Sequence, residues 1–408
     1  MDPIPLFSNK HIVLGVCGGI AAYKVADLAS KLTQAGARVD CILTESATKF
    51  IGPVTFAAVT GRAALTDADL WRHDAHVPHV QLGESADLLI IAPATANTLA
   101  KLAHGQADNL LTVTALAARG PIMLVPAMDG GMWSNAATQA NVAILRERGF
   151  HICGPALGRM ASGLIGEGRM MEPPEILGWA RIVLGQRGAL NGKKIVVTAG
   201  GTHEAIDPVR FIGNRSSGKQ GFALAQAAID HGAAVTLIVG ASALPTPGGV
   251  TRIDVESAQQ MCDAVLAACA AADALIMAAA VADFQAATHA DQKIKKTKDT
   301  LELEVKLART PDILRAVKEQ RDKTSRPRVT IGFAAETQNL IDNATAKLHR
   351  KGLDLIVAND VSATDAGFAV DTNRVTLLDA GGGVEPLPIM SKARVAEHVL
   401  NRLIALLA

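Results

Sequence analysis

The sequence predicts an α/β protein built from two doubly wound, mostly parallel-sheet domains, and three observations carry that prediction. A short apolar strand, His11 to Val16, runs into the glycine turn Gly15, Gly18, Gly19 and then into an amphipathic helix marked by Ile20, Val25, Leu28 and Leu32. The same opening recurs at mid-chain, where Lys194 to Thr198 leads into Ala199, Gly200, Gly201 and Thr202. After each opening, apolar strands alternate with helical patterns, a βαβ rhythm that implies parallel sheets covered on both faces. A chain of 408 residues, 49% hydrophobic and 19% charged, can bury two ordinary cores.

In the first half the later strands are Val39 to Leu43, Leu88 to Ala92 and Ile122 to Val125. Ligands of such sheets bind beyond the carboxyl ends of the strands. Those ends are Cys17 to Ile20, Thr44 to Ser46, Pro93 to Asn97 and Ala127 to Asp129. Small, hydroxylic and amide side chains dominate there, which suits a phosphate and a polar heterocycle held largely by backbone donors. A nicotinamide dehydrogenase would show GxGxxG and an acid after the second strand. Here the spacing is GxxGG, and Glu45 near the acid's place is flanked by Thr44 and Ser46. The glycine turn alone fits a plain tight turn as well as a phosphate site.

The stretch Gly178 to Asn191 has no long apolar run after Leu184, so the junction is expected at about Arg187 to Gly192, giving domains 1–187 and 188–408. The second half continues with Val235 to Val239, Ala274 to Ala279, Val329 to Phe333, Asp354 to Ala358 and Val375 to Leu378. Its loops carry the chemistry. The segment Thr198 to Lys219 gathers glycines, hydroxyls, Arg210, Asn214, Arg215 and Lys219 just past a strand, a cluster able to hold an anion. It is not a Walker A loop, because GxxxxGK[ST] is absent. AAAVADF places Asp283 after a buried strand, and Lys293 to Lys296 follow as KIKK.

Net charge is +1, so no basic field attracts nucleic acid or anionic lipid, and 3% aromatics leave little for base stacking. The five cysteines are odd in number and form no CxxC pair, and Cys262 and Cys269 read as one buried helix face. No signal-peptide pattern and no apolar run of membrane length occur, so a soluble cytoplasmic protein is expected. His73, His76 and His79 are evenly spaced, but Pro78 opposes a continuous helix presenting all three to zinc.

GVCGGIAAYK (Gly15 to Lys24), HVQLG (His79 to Gly83), the APATANT segment around Pro93 to Thr98 and PAMDGGMW (Pro126 to Trp133) resemble the flavin-dependent cysteine decarboxylases. The resemblance implies a flavodoxin- or Rossmann-like flavoprotein domain with FMN at the strand ends, held by Gly18, Gly19, Ile20, Thr44, Ser46, Pro93, Ala94, Thr95 and Asn97. It implies oxidative decarboxylation of a phosphopantothenoylcysteine thiol, followed by return of a proton and electrons, with His79 as the catalytic histidine. Two positions depart from the family pattern. Asp129 stands where the motif carries asparagine, and Ser162 stands where many members carry a proton-donating cysteine. A serine hydroxyl is far too weak an acid to replace that thiol, so either another donor serves, with Asp129 the candidate, or the reaction is altered.

The second half, through TPDIL (Thr310 to Leu314), GFAAET (Gly332 to Thr337) and KGLDLIVAND (Lys351 to Asp360), resembles the bacterial phosphopantothenate–cysteine ligases, a Rossmann-like domain. The resemblance implies activation of a carboxylate by CTP as an acyl-cytidylate, then displacement of CMP by cysteine. Lys293 would stabilise charge and Asn214 orient the intermediate. Ala280, Asp283, Pro311, Asp312, Ile313, Leu314, Phe333, Lys347 and Lys351 would hold the nucleotide, and Arg210 phosphopantothenate. Lys347 and Lys351 are spaced to share one helix face. A divalent cation, Mg2+, is expected on the triphosphate. Homo-oligomers are implied as well, with trimer-based flavin domains and dimeric ligase domains. The alternatives are an active ligase with an impaired flavoprotein half, and a non-catalytic nucleotide-binding module.

Overall fold

The computed structural model describes residues 3–71, 77–160, 163–295, 303–336, 338–360 and 370–408. Contacts divide the chain into two units, Met1–Gly185 and Gln186–Ala408. The division lies slightly ahead of the expected junction because Leu190 is buried and its N–H donates to His231 O at 2.8 Å, which ties the connecting residues to the second unit.

In the first unit, β1 (His11–Val16), β2 (Arg38–Leu43), β3 (Leu65–Thr66), β4 (Leu88–Ala94), β5 (Ile122–Pro126) and β6 (His151–Ile152) form an all-parallel sheet in the order β3-β2-β1-β4-β5-β6. Its helices are α1 (Ala22–Gln34), α2 (Pro53–Thr60), α3 (Pro78–Ser85), α4 (Ala96–His104), α5 (Leu110–Ala117), α6 (Gly130–Ser134), α7 (Ala136–Glu147) and α8 (Pro173–Gly185). The strands are apolar throughout because both faces are covered. Ile12, Leu14, Val39, Cys41 and Ile90 pack into one core, and Val13, Ile42, Leu89 and Ile91 into the other. Strand order reverses between β1 and β4, and the crevice at such a switch point is where ligands of this architecture bind.

Two details depart from the sequence expectation. Strand β4 extends to Ala94, its pairing with β5 skipping between Ile91 and Ala94 in a way that accommodates Pro93. The stretch around Ser162, where the sequence predicts no strand, is flanked by the two arms of an antiparallel hairpin, β7 (Ala156–Arg159) with β8 (Ile165–Arg169).

The second unit repeats the plan. β9 (Lys194–Ala199) is followed by the hairpin β10 (His203–Ala205) and β11 (Phe211–Gly213), then β12 (Ala234–Val239), β13 (Thr251–Asp254) and β14 (Ala274–Met277). A second hairpin, β15 (Phe284–Ala286) with β16 (Leu307–Arg309), precedes β17 (Val329–Glu336) and β18 (Leu355–Asp360). Last come β19 (Thr372–Asn373), β20 (Val375–Asp379), β21 (Val384–Pro386) and β22 (Met390–Ser391). The main sheet runs β13-β12-β9-β14-β17-β18-β20-β21, parallel as far as β18 and antiparallel after it. The helices are α9 (Lys219–Asp230), α10 (Ala258–Cys269), α11 (Ile313–Thr324), α12 (Leu340–Lys351) and α13 (Lys392–Leu407). Cys262 and Cys269 lie in the core that α10 forms with Val196 and Leu275. Among the described residues, no helix is long and apolar enough to cross a membrane.

At the amino-terminal edge of the first sheet, away from the switch-point crevice, the buried His11 ring bridges Ser85 Oγ (2.9 Å) and Asp40 Oδ2 (2.8 Å), and Arg62 Nε donates to Asp40 Oδ1 at 2.6 Å. Burial alone would raise the Asp40 carboxyl, but the hydrogen bonds and charges of His11 and Arg62 outweigh it and hold the group at about 2. A depressed carboxylate stabilises the fold above its ordinary pKa of 3.8, and that contribution is lost as pH falls through about 2. Asp40→Asn should therefore cost about 2 kcal/mol in urea unfolding at pH 7, and the gap to wild type should close toward pH 2. A gap unchanged with pH would contradict this account of the cluster.

Candidate active site

The crevice at the carboxyl ends of β1, β2, β4 and β5 is a cavity of about 970 Å³. Gly18, Gly19, Ile20, Thr44, Ser46, Thr95, Asn97 and Asp129 line it. The turn is tight: a Cβ on Gly18 would stand 2.3 Å from Ser46 Cβ, so only glycine lets β1 hand over to α1 here. No side chain caps α1; the N–H groups of Ala22 and Lys24 turn back to Gly19 O and Ala21 O, each at 3.0 Å, and the positive end of the helix lies at the crevice. Thr95, by contrast, caps α4 by accepting from Thr98 N–H, and Thr98 Oγ1 donates to Cys17 Sγ at 3.2 Å. Burial pushes the Cys17 thiol up to about 11, so it stays protonated at neutral pH.

Pro93 and Ala94 do not line the cavity, because the longer β4 draws them into the sheet beneath it. His79 is not at this crevice either. It sits in the first turn of α3, and its Nδ1 is buried without a hydrogen-bond partner. Asp129 caps α6, its Oδ1 accepting from Gly131 N–H at 2.9 Å, so the carboxylate is turned toward its own helix. Ser162, His73 and His76 lie outside the described residues.

The sequence reading missed the cations of this crevice. Lys24 Nζ donates to Glu172 at 2.7 Å, and Arg169 reaches the same oxygen at 3.2 Å. Arg159 joins them from the β7–β8 hairpin. Lys24 was already visible in the GVCGGIAAYK motif, but the hairpin arginines carried no local signal.

The second unit holds its own cavity of about 910 Å³, again at the strand ends. Asn214, Ala280, Asp283, Pro311, Asp312, Ile313, Leu314, Phe333, Lys347 and Lys351 all line it. Lys351 pairs with Asp312, and Lys347 Nζ donates to Phe333 O at 3.0 Å, so α12 presents both ammoniums along one wall. Asn214 Nδ2 donates to Val281 O at 3.1 Å. Helix α9 starts at Gly218, whose φ of +80° favours glycine, and no side chain caps it. Lys219, Asn359, Asn373 and Lys392 complete the far wall, and of these only Lys219 and Asn359 fell within motifs singled out in the sequence.

Arg210 and Lys293 do not line this cavity. Buried Asp207 accepts from the N–H groups of Val209 (2.8 Å), Arg210 (2.8 Å) and Ile294 (3.1 Å), while Arg210 Nη2 donates to Ile294 O at 3.2 Å. This knot holds the lysine-bearing segment against the approach to β11. Among the described residues no group of three or more His, Cys, Asp or Glu side chains could hold a metal ion.

Two doubly wound units, each with its own crevice at the strand ends, define a two-site α/β protein. Comparison with known proteins narrows this. Residues 6–181 match the flavoprotein family and residues 190–407 the DNA/pantothenate metabolism flavoprotein C-terminal domain. The coenzyme A biosynthesis bifunctional protein CoaBC of Vibrio vulnificus is 45% identical over 396 residues, covering 97% of this chain and 98% of that protein. Its namesake in Bacillus subtilis is 44% identical over 404 residues, with 98% of each chain covered. A crystal structure of the C-terminal domain of such a protein is 40% identical, covers 54% of this chain and 98% of its own, and has a TM-score of 0.46. The chain belongs to the family of coenzyme A biosynthesis bifunctional proteins.

Asp312 is both the cap of α11 and the partner of Lys351. Burial would raise its carboxyl, but hydrogen bonds from Lys351 and Arg315 N–H bring it below the usual range. Asp312→Ala should cost about 1 kcal/mol in unfolding of the second unit, the ordinary value of a lost cap. The cost should shrink as pH falls below the carboxylate range, since the stabilisation is lost when Asp312 is protonated.

Proposed function

We propose that the chain joins cysteine to 4'-phosphopantothenate in its second unit, using CTP, and decarboxylates the resulting 4'-phosphopantothenoylcysteine to 4'-phosphopantetheine in its first, using FMN. One observation carries this reading: bifunctional relatives match the chain through both units, and each unit has its own crevice at the strand ends. The proposed setting is the cytoplasm, with small molecules as the only substrates.

In the ligase half, a carboxylate oxygen of phosphopantothenate attacks the α-phosphorus of CTP and pyrophosphate leaves. The cysteine amine then forms the C–N bond as the acyl C–O bond breaks, CMP departs, and the amine proton passes to solvent. The obstacle is the approach of two anions, which fixed cations relieve. Lys347 and Lys351, with Ala280, Asp283, Phe333 and the Pro311 to Leu314 turn, hold the nucleotide, and Asn214 orients the acyl group. Mg2+ would ride chiefly on the triphosphate oxygens.

The first crevice fits FMN in one physical respect: the Gly18 turn brings the positive end of α1 to the crevice, where a phosphate would be favoured. Thr44, Ser46, Thr95 and Asn97 would meet the polar edge of the ring system, with Pro93 and Ala94 behind them in β4. FMN, when bound, supplies the redox chemistry that lets the cysteinyl carboxylate leave. With Ser162 at the position of the family's thiol, Asp129 is the proposed proton donor.

His79, Arg210 and Lys293 stand off the crevices of their own units. In the proposed homo-oligomer, trimer-based in the first unit and dimeric in the second, each serves the crevice of a neighbouring copy. The departures at Asp129 and Ser162 favour a second reading, an active ligase whose decarboxylase half is altered.

Purified protein should release pyrophosphate from CTP only when phosphopantothenate is present, and CO2 once cysteine is added; no pyrophosphate would refute the ligase reading, and pyrophosphate without CO2 would select the second one. Lys293→Gln should slow acyl-cytidylate formation by about 100-fold or more while flavin stays bound. Gly18→Val should give colourless protein that keeps the ligase activity. Mixing His79→Asn with Gly18→Val protein under subunit exchange should restore part of the CO2 release, and no recovery would contradict a shared site.

A further inference from the structure

In the second crevice two buried carboxamide oxygens, Asn359 Oδ1 and Asn373 Oδ1, have no hydrogen-bond partner. The residues are only 8% and 2% exposed, so a lost partner there is costly and a ligand that donates to both would be favoured. They are neighbours: Asn359 pairs with Val375 across β18 and β20, and Asn373 lies just ahead of β20. The orientation of Asn373 is fixed by a relay. Its Nδ2 donates to Gln220 Oε1 at 3.1 Å, and Gln220 Nε2 donates to Lys392 O at 3.1 Å, which leaves Oδ1 as the acceptor.

Two lysines line the same crevice. Lys219 Nζ meets Asp371 at 2.7 Å, and Lys392, only 6% exposed, donates to Val370 O at 2.5 Å. Burial and the nearby Lys219 charge hold Lys392 below the usual lysine range, and the Asp371 carboxylate offsets part of that effect. A lone phosphate would satisfy the ammoniums but set its oxygens against the two carboxamide oxygens. A free α-amino acid satisfies both pairs, because it carries an N–H donor group and a carboxylate on one carbon.

We propose that this corner, built from Asn359, Asn373, Lys219 and Lys392, is the subsite for the free α-amino acid that accepts the acyl group. The amine nitrogen donates to the two asparagines, and the α-carboxylate faces the two lysines. This rests on the ligase reading of the second unit.

The full-length protein is assayed with CTP and phosphopantothenate while L-cysteine is varied. Asn373→Ala and Asn359→Ala should each raise the KM for cysteine about tenfold or more, with cysteine-independent pyrophosphate release changed less than about twofold. Asn373→Ser, which keeps an acceptor, should recover part of the loss. In wild type, cysteamine, which lacks the carboxylate, should show a KM at least about tenfold above that of cysteine, and Lys392→Met should narrow that ratio. An unchanged cysteine KM in both asparagine variants overturns the subsite, as does a rise in the KM for phosphopantothenate in place of cysteine. Equal use of cysteamine and cysteine by wild type overturns its carboxylate arm without requiring any variant to fold. Absence of pyrophosphate release from wild type overturns the ligase reading and the subsite together.

Discussion

The structure depends on a backbone constraint met twice: a helix that begins at a glycine turn, on the carboxyl edge of a parallel sheet, with no side chain to satisfy its first N–H groups. Side-chain caps are supplied by Thr95 on α4, Ser257 on α10, Asp312 on α11 and Ser391 on α13, whereas α2, α3 and α12 lack them as α1 and α9 do. At α1 the Ala22 and Lys24 N–H groups turn back to Gly19 O and Ala21 O, and at neither α1 nor α9 does a side chain take the remaining donors. The Gly18 turn tolerates no Cβ against Ser46, and Gly218 adopts a positive φ, so the sequence at both places serves the approach of a ligand more than the stability of a helix.

Around this shared plan the two crevices differ in how cations are held. In the first, Lys24 and Arg169 share Glu172, and an arginine-bearing hairpin lies over a sheet edge made of small residues. In the second, lysines from α9, α12 and α13 come from separate directions, each tethered to a carbonyl or carboxylate. A crevice ringed from several sides can neutralise more than one anion at once, which suits joining two charged substrates. Each side chain so tethered is already placed, and less ordering remains for substrate binding to supply.

Most of the first sheet and its switch point were legible in the sequence, because strands covered on both faces are apolar without interruption and the glycine turns punctuate them. The same holds for β9, β12, β14, β17, β18 and β20 in the second unit. The β7–β8 hairpin was not legible, since Gly158, Gly163, Gly166 and Gly168 erase the alternation that marks a strand. Pro93 argued for the end of β4, and only the skipped pairing with β5 shows how the strand continues through it. Asp207 looked like one polar loop residue among many, yet its four accepted hydrogen bonds place Arg210 and the Lys293 segment away from the crevice they were read into. Lys392 opens a helix in a stretch that reads as surface, and its burial follows from packing of α13 on α9, which no local pattern encodes.

The central claim is that two helix starts, in two separate units, are the anion sites of two separate ligands. Hydrogen exchange at those helix starts tests it most directly, at Tyr23 and at Gln220 and Gly221, with FMN alone and with CTP plus phosphopantothenate alone. The account predicts that FMN protects the first set only and the ligase substrates the second set only. Bound ligand that leaves its helix start unprotected, or either ligand protecting both sets, would contradict it.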